Sequence, residues 1–153
     1  MLERTGPRPG FALTDDPDLH LVVDGARLDA GERRGAAYIF HLPARPASVR
    51  LVSRAAAPAE LGVARDPRVL GVAVRQIVLR QGTRFQVVAS ADGRLAEGFY
   101  PFEQANGLRW TDGDAALPAA LFDDFDGPAE LVLHVGDTTQ YPLLGAREWC
   151  SAA

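Results

Sequence analysis

The chain has 153 residues, enough for one domain that closes a single core without disulfide or metal staples. Its 47% hydrophobic and 24% charged residues exclude a wholly disordered or fibrous polypeptide, and its 15 glycines and 11 prolines, spread along the whole length, exclude long or dominant helices. The net charge of −4, from 16 basic residues (all arginine) and 20 acidic ones, sets up no general field for nucleic acid or anionic lipid, so neither is expected as a partner.

Residues 1–16 are polar and proline-bearing and read as a flexible N-terminal arm, with order expected from about Asp18. Residues 17–145 read as one module and 146–153 as a C-terminal tail. Residues 1–18 hold no apolar core of a signal peptide, and no apolar run reaches the length of a membrane span. The expected location is therefore cytoplasmic, with export by another route left open. The single cysteine, Cys150, forms neither an internal disulfide nor a cysteine metal site.

In chain order, Asp18-Leu-His-Leu-Val-Val23 puts Leu19, Leu21 and Val23 on one face at the two-residue period, and Asp24-Gly25 offers a hairpin turn into Ala26–Ala30. After a charged turn, Ala37–Leu42 is aromatic and β-branched, and beyond Pro43 and Pro46 the stretch Ser48–Arg54 alternates again. Ala55–Val63 suits a loop with one helical turn opened by Pro58. Gly71–Arg80 is the strongest apolar run and predicts a central strand, with a phase slip near Arg75-Gln76 that indicates a bulge or burial on both faces. A strand over Phe85–Ser90 follows Gln81-Gly82, and Ala91–Arg94 turns. Residues 94–118 read as a long, mostly irregular connection rich in glycine and proline. Glu130–Val135 alternates, and Thr139–Leu144 predicts a proline-limited edge strand. About eight short strands without βαβ alternation predict an all-β fold: an antiparallel two-layer β-sandwich, jelly-roll type included, with at most short helical turns.

The densest polar and aromatic patch runs from Glu97 to Asp114. Within it Glu103, Arg109 and Trp110, with Tyr100 and Asp112 beside them, form the candidate ligand site. A carboxylate and a guanidinium hydrogen-bond sugar hydroxyls while an indole covers the sugar's apolar face. The structural alternative is a buried Glu103–Arg109 pair that fixes the loop, with Trp110 and Phe99 inside the sandwich. Arg54, Asp66 and Arg68 suggest a carboxylate clamp or loop salt bridges. Asp112, Asp114 and Asp123–Asp126 supply oxygens but not the ligand spacing of a calcium loop, and His20, His41 and His134 have no metal-ligand spacing, so no metal or cofactor is expected. No nucleophile elbow, phosphate loop, zincin helix or dinucleotide fingerprint is present. Ser53 and Ser90 have no identifiable base. Glu97 and Glu103 stand as acids of unknown separation.

Several phrases combine in order over residues 16–142: Asp16-Pro-Asp-Leu-His-Leu, Val23-Asp-Gly25, Val49-Arg-Leu-Val-Ser-Arg-Ala55, Pro58-Ala-Glu-Leu61, Asp66 with Arg68, Leu70-Gly-Val-Ala-Val74, Gly98-Phe-Tyr-Pro-Phe-Glu103 and Arg109-Trp-Thr-Asp-Gly-Asp-Ala-Ala-Leu-Pro118. This order resembles the β-rich region that follows the autoprocessing Hint (Hedgehog/intein) domain in some alphaproteobacterial proteins, and is similar to accessory segments attached to some bacterial glycosyltransferases. The resemblance implies an accessory module, with glycan association suggested by the company such segments keep. No N-terminal nucleophilic cysteine with its histidine-bearing block is present, so self-splicing is not implied.

The expected function is thus a non-catalytic recognition or accessory module with carbohydrate as its ligand. The alternative is a structural or protein-interaction module that pairs a strand edge with a partner or a second copy. A third reading, a small jelly-roll hydrolase or isomerase, requires the scattered histidines and acids to converge in one pocket.

Overall fold

Short apolar alternations cut by glycine and proline favour strands over helices, and the computed structural model, which describes residues 12–143, is mostly β, built of antiparallel sheets with one short α-helix. The strands are β1 (Ala12–Thr14), β2 (His20–Val23), β3 (Ala26–Leu28), β4 (Glu32–Arg34), β5 (Ala37–Leu42), β6 (Val49–Val52), β7 (Ala73–Gln81), β8 (Arg84–Ala89), β9 (Arg109–Trp110), β10 (Asp114–Leu117), β11 (Ala129–Asp137) and β12 (Tyr141–Leu143). Helix α1 spans Pro58–Leu61, with its proline at the start as expected, and a 3₁₀ turn spans Ala119–Phe122. No helix among the described residues is long and apolar enough to cross a membrane.

Three sheets form. The six-stranded sheet runs β9-β7-β11-β5-β4, with β8 also paired to β7, the four-stranded one runs β10-β6-β2-β3, and β1 pairs with β12 in a ribbon. Strand β7 is central, as its apolar run predicts. Its register against β11 passes from Gln76↔His134 to Val74↔Val135, so Arg75 is the extra residue of a bulge. That bulge is the phase slip read at Arg75-Gln76.

One apolar cluster draws on both larger sheets. Leu21, Leu51 and Ala115 come from the four-stranded sheet, and Phe40, Ile77, Leu79, Leu131 and Leu133 from the six-stranded one. Each of the leucine, isoleucine and phenylalanine side chains, fully buried, contributes roughly 1.5–3 kcal/mol. Leu121 and Phe122 of the 3₁₀ turn, and Phe125 after it, join the same cluster.

Four strands lie where none is expected. Ala12–Thr14 lies in the stretch read as a flexible arm, yet it is a strand, in register Thr14↔Tyr141 and Ala12↔Leu143. Its order comes from a distant partner, for which three residues of sequence give no signal. Residues 1–11 of the expected arm, and the tail 146–153, lie outside the described residues. The charged turn before Ala37 contains β4, an exposed Glu-Arg-Arg edge that pairs with Ala37–Ile39. The connection 94–118 contains β9 and β10.

Tyr141 fastens the ribbon to the rest. It is fully buried, and its hydroxyl donates to the Gly71 carbonyl at 2.5 Å. Burial pushes its pKa up to about 12, whereas an unfolded tyrosine titrates near ~10. Between these values the unfolded chain has lost the proton that the folded one keeps, so stability falls as pH rises through that window. Tyr141→Phe is expected to lower stability at neutral pH by about 1 kcal/mol and to remove most of this alkaline loss, which denaturant melts at pH 7 and near pH 11 will measure.

Candidate functional site

The segment 98–112 folds back on itself as an irregular hairpin. Its arms are joined by Asp112 N–H to the Gly98 carbonyl (2.9 Å), Tyr100 N–H to Trp110 (2.9 Å) and Glu103 N–H to Leu108 (2.9 Å). Gly107 N–H closes the tip on the Glu103 carbonyl at 2.9 Å. Pro101 lacks an amide proton and interrupts one arm, so only Arg109-Trp110 of the other qualifies as a strand. That strand extends the six-stranded sheet in register Arg109↔Val74 and Trp110↔Ala73.

The hairpin does not bring the candidate residues together as a ligand grip. Arg109 makes no pair with Glu103. Its guanidinium donates instead to the carbonyls of Tyr100 (2.9 Å), Asp92 (2.8 Å) and Ser90 (3.3 Å), and Ser90 Oγ in turn donates to the Gly107 carbonyl at 2.8 Å. Arg109 therefore ties the turn 90–94 to both arms of the hairpin. Trp110 is 8% exposed and packs with Leu70, Ala73 and Leu108, so its indole has no open face for a sugar. Asp112 accepts from the Asp114 amide at 3.0 Å, an Asx turn at the surface.

Glu103 and Tyr100 do meet, around Arg68. The Arg68 guanidinium forks onto Asp66 (Nη2 to Oδ2 2.7 Å, Nε to Oδ1 3.0 Å), reaches Glu103 Oε2 at 3.2 Å and lies 5.1 Å from the centre of the Tyr100 ring. The other Glu103 oxygen accepts from Asn106 Nδ2 at 2.9 Å, and the Tyr100 hydroxyl donates to the Val69 carbonyl at 2.8 Å. The hydrogen bonds from Arg68 hold the Asp66 carboxyl below its ordinary range, and Asp66 raises Arg68 in return. Arg54 stands apart, on the Asp16 carbonyl at 2.8 Å. In this cluster the polar groups hold one another and the loop.

A second arrangement, unread in the sequence, lies across the six-stranded sheet. Register places Phe85 opposite Arg80, Arg80 opposite Glu130 and Glu130 opposite His41, a row over four adjacent strands with all four side chains on one face. The next row on that face is Val87, Val78, Val132 and Ile39. Arg80 Nη2 bonds Glu130 Oε1 at 2.5 Å, and His41 Nδ1 lies 3.7 Å from Glu130 Oε2. Phe85 is 67% and Val87 51% exposed. Beside the row, where these strands end, is a groove of about 450 Å³ lined by His41, Arg80, Gln81, Pro128, Ala129 and Glu130. Gln81 donates from Nε2 to Asp126 at 3.1 Å, while its buried Oε1 accepts from nothing among the described residues.

The histidines do not converge. His20 is on the four-stranded sheet, and His41 and His134 occupy separate rows of the six-stranded one. No cluster of three or more potential metal-ligating side chains occurs among the described residues. Comparison of the chain with protein-family models, with curated proteins and with solved structures finds no match.

Proposed function

We propose that the chain is a non-catalytic recognition module, a two-layer β-sandwich of jelly-roll type that binds carbohydrate on an outer sheet surface and serves as an accessory to a larger assembly. The observation that carries this reading is the exposure of Phe85 and Val87 side by side on β8, next to a polar row of Arg80, Glu130 and His41. Neighbouring exposed apolar side chains flanked by a guanidinium and a carboxylate suit a ligand that is apolar on one face and hydroxylated on its edges. The resemblance to modules that follow Hint domains or accompany glycosyltransferases supports the accessory role. Screening the folded protein against an array of oligosaccharides tests the reading. Retention of a defined glycan class is expected, and failure to retain any sugar rejects carbohydrate as the ligand.

One observation favours a second reading, assembly through the β8 edge. The β7–β8 hairpin closes at Gln81↔Arg84 over the two-residue turn Gly82-Thr83, with Gly82 at φ +60°. A two-residue turn makes that closing pair a hydrogen-bonded one, so the amides of Arg84, Gln86 and Val88 face β7. Those of Phe85 and Val87 face outward, on the same residues whose side chains are exposed, and such an edge is a template for antiparallel pairing with a second copy. Light scattering is expected to give a dimer mass that Val87→Lys converts to a monomer. A wild-type protein that stays monomeric at high concentration rejects this second reading.

A further inference from the structure

We infer that the sugar site is the row Phe85–Arg80–Glu130–His41 with its adjoining groove, and that its ligand is a neutral saccharide presenting vicinal hydroxyls. This assignment rests on the carbohydrate reading above and moves the site from the 97–114 hairpin to the face of the six-stranded sheet turned away from the main core.

Three observations carry it. First, the row supplies the parts that a sugar grip needs, in an order that register fixes. An exposed ring comes first, then a guanidinium, a carboxylate and an imidazole, each one strand further on. Adjacent strands lie ~4.8 Å apart, so the row spans about 14 Å, a gently twisted strip long enough for a short oligosaccharide. The Phe85 ring covers the apolar face of one sugar unit, while Arg80 donates to and Glu130 accepts from the hydroxyls of the next.

Second, these groups have capacity to spare, in contrast to the hairpin. One Arg80 nitrogen is bonded to Glu130, and the rest of its guanidinium, half-exposed, remains available to donate. His41 sits 3.7 Å from Glu130, too far for a hydrogen bond, and its ring is mostly exposed. In the hairpin, Arg109 is committed to three carbonyls, and both Glu103 oxygens are taken.

Third, charge selects the class of sugar. Arg80 and Glu130 neutralise each other, so the strip offers donors and acceptors with no excess field. The carboxylate of an acidic sugar laid here would face Glu130 at close range, whereas a neutral diol accepts from the guanidinium and donates to the carboxylate. The groove of about 450 Å³ beyond the row is of ligand size and gives a chain end somewhere to turn.

The test is calorimetric titration, with backbone-amide chemical-shift mapping, of the whole chain against short neutral gluco-, manno- and galacto-oligosaccharides and against an oligo-uronide. A neutral sugar is expected to bind with shifts centred on residues 39–41, 78–87 and 130–132. Phe85→Ala and Glu130→Gln are each expected to weaken it about tenfold, with unchanged melting, and Glu103→Gln to leave it unaltered. If neutral sugars bind and these row variants bind like the parent, or if the shifts centre on 98–112, the site is wrong while the carbohydrate reading stands. Preference for the uronide overturns the neutral class. If no sugar binds, the carbohydrate reading itself falls, and the site with it.

Discussion

Replacing Gly98 with alanine is expected to destabilise the protein by about 4 kcal/mol and to lower Tm by roughly 12 °C. Two causes add. Gly98 has φ +84°, a left-handed conformation that costs a non-glycine residue ~1 kcal/mol or more. An added Cβ would also lie 2.4 Å from the Asp114 carbonyl oxygen and 2.5 Å from Ala115 Cα. Both contacts are to backbone of β10, which is held along its length by β6, so no side chain can swing aside. Either β10 leaves its partner or the 98–112 hairpin lifts off, breaking the bond from Asp112 N–H to Gly98. Gly93→Ala provides the control. Nothing lies within 4 Å of its Cβ position and its φ is not left-handed, so calorimetry is expected to find it near neutral.

Arg109→Met is expected to cost about 3 kcal/mol, because it removes a charged donor from three carbonyls at once and leaves them to partial hydration. Hydrogen exchange will localise the loss. Amides of the turn 90–94 and of the hairpin lose protection, while those of β5 and β11 in the sheet interior keep theirs. Arg109→Lys is expected to recover about a third of the loss, since one ammonium reaches one carbonyl group where the planar fork spans all three. A variant as stable as the parent would show that the guanidinium holds nothing together here.

What the sequence made legible is what alternation and turn chemistry encode locally. Leu19, Leu21 and Val23 alternate into a buried face, and Asp24-Gly25 turns them into β3. Pro58 opens α1, and the slip at Arg75 is a bulge. Missed elements lack any local signal. β4 is Glu-Arg-Arg, made a strand only by its neighbour β5, and β9 is two residues long in a segment cut by Pro101. The candidate residues stand apart for a related reason. Arg109 and Trp110 are consecutive in a strand, so their side chains leave opposite faces and cannot grip one ligand. Proximity in sequence suggested a shared site that the pleat forbids. Phe85, Arg80, Glu130 and His41 come from four strands, and only the pairing register aligns them. Register depends on partners distant in sequence, and composition does not reveal it.

The ribbon of β1 and β12 also determines how the protein answers a mechanical load. Ala12 faces Leu143, so a tension applied to these two residues acts across the outermost pair of the ribbon. The pairs then open one after another, from Leu143 towards Tyr141, as a zip rather than a shear. The next restraints are the Tyr141 hydroxyl on Gly71 and, on the β1 side, the bonds from Arg54 to the Asp16 and Pro17 carbonyls. Pulled this way, the fold yields a short, soft extension first, and the packed sheets bear force only after those latches have let go.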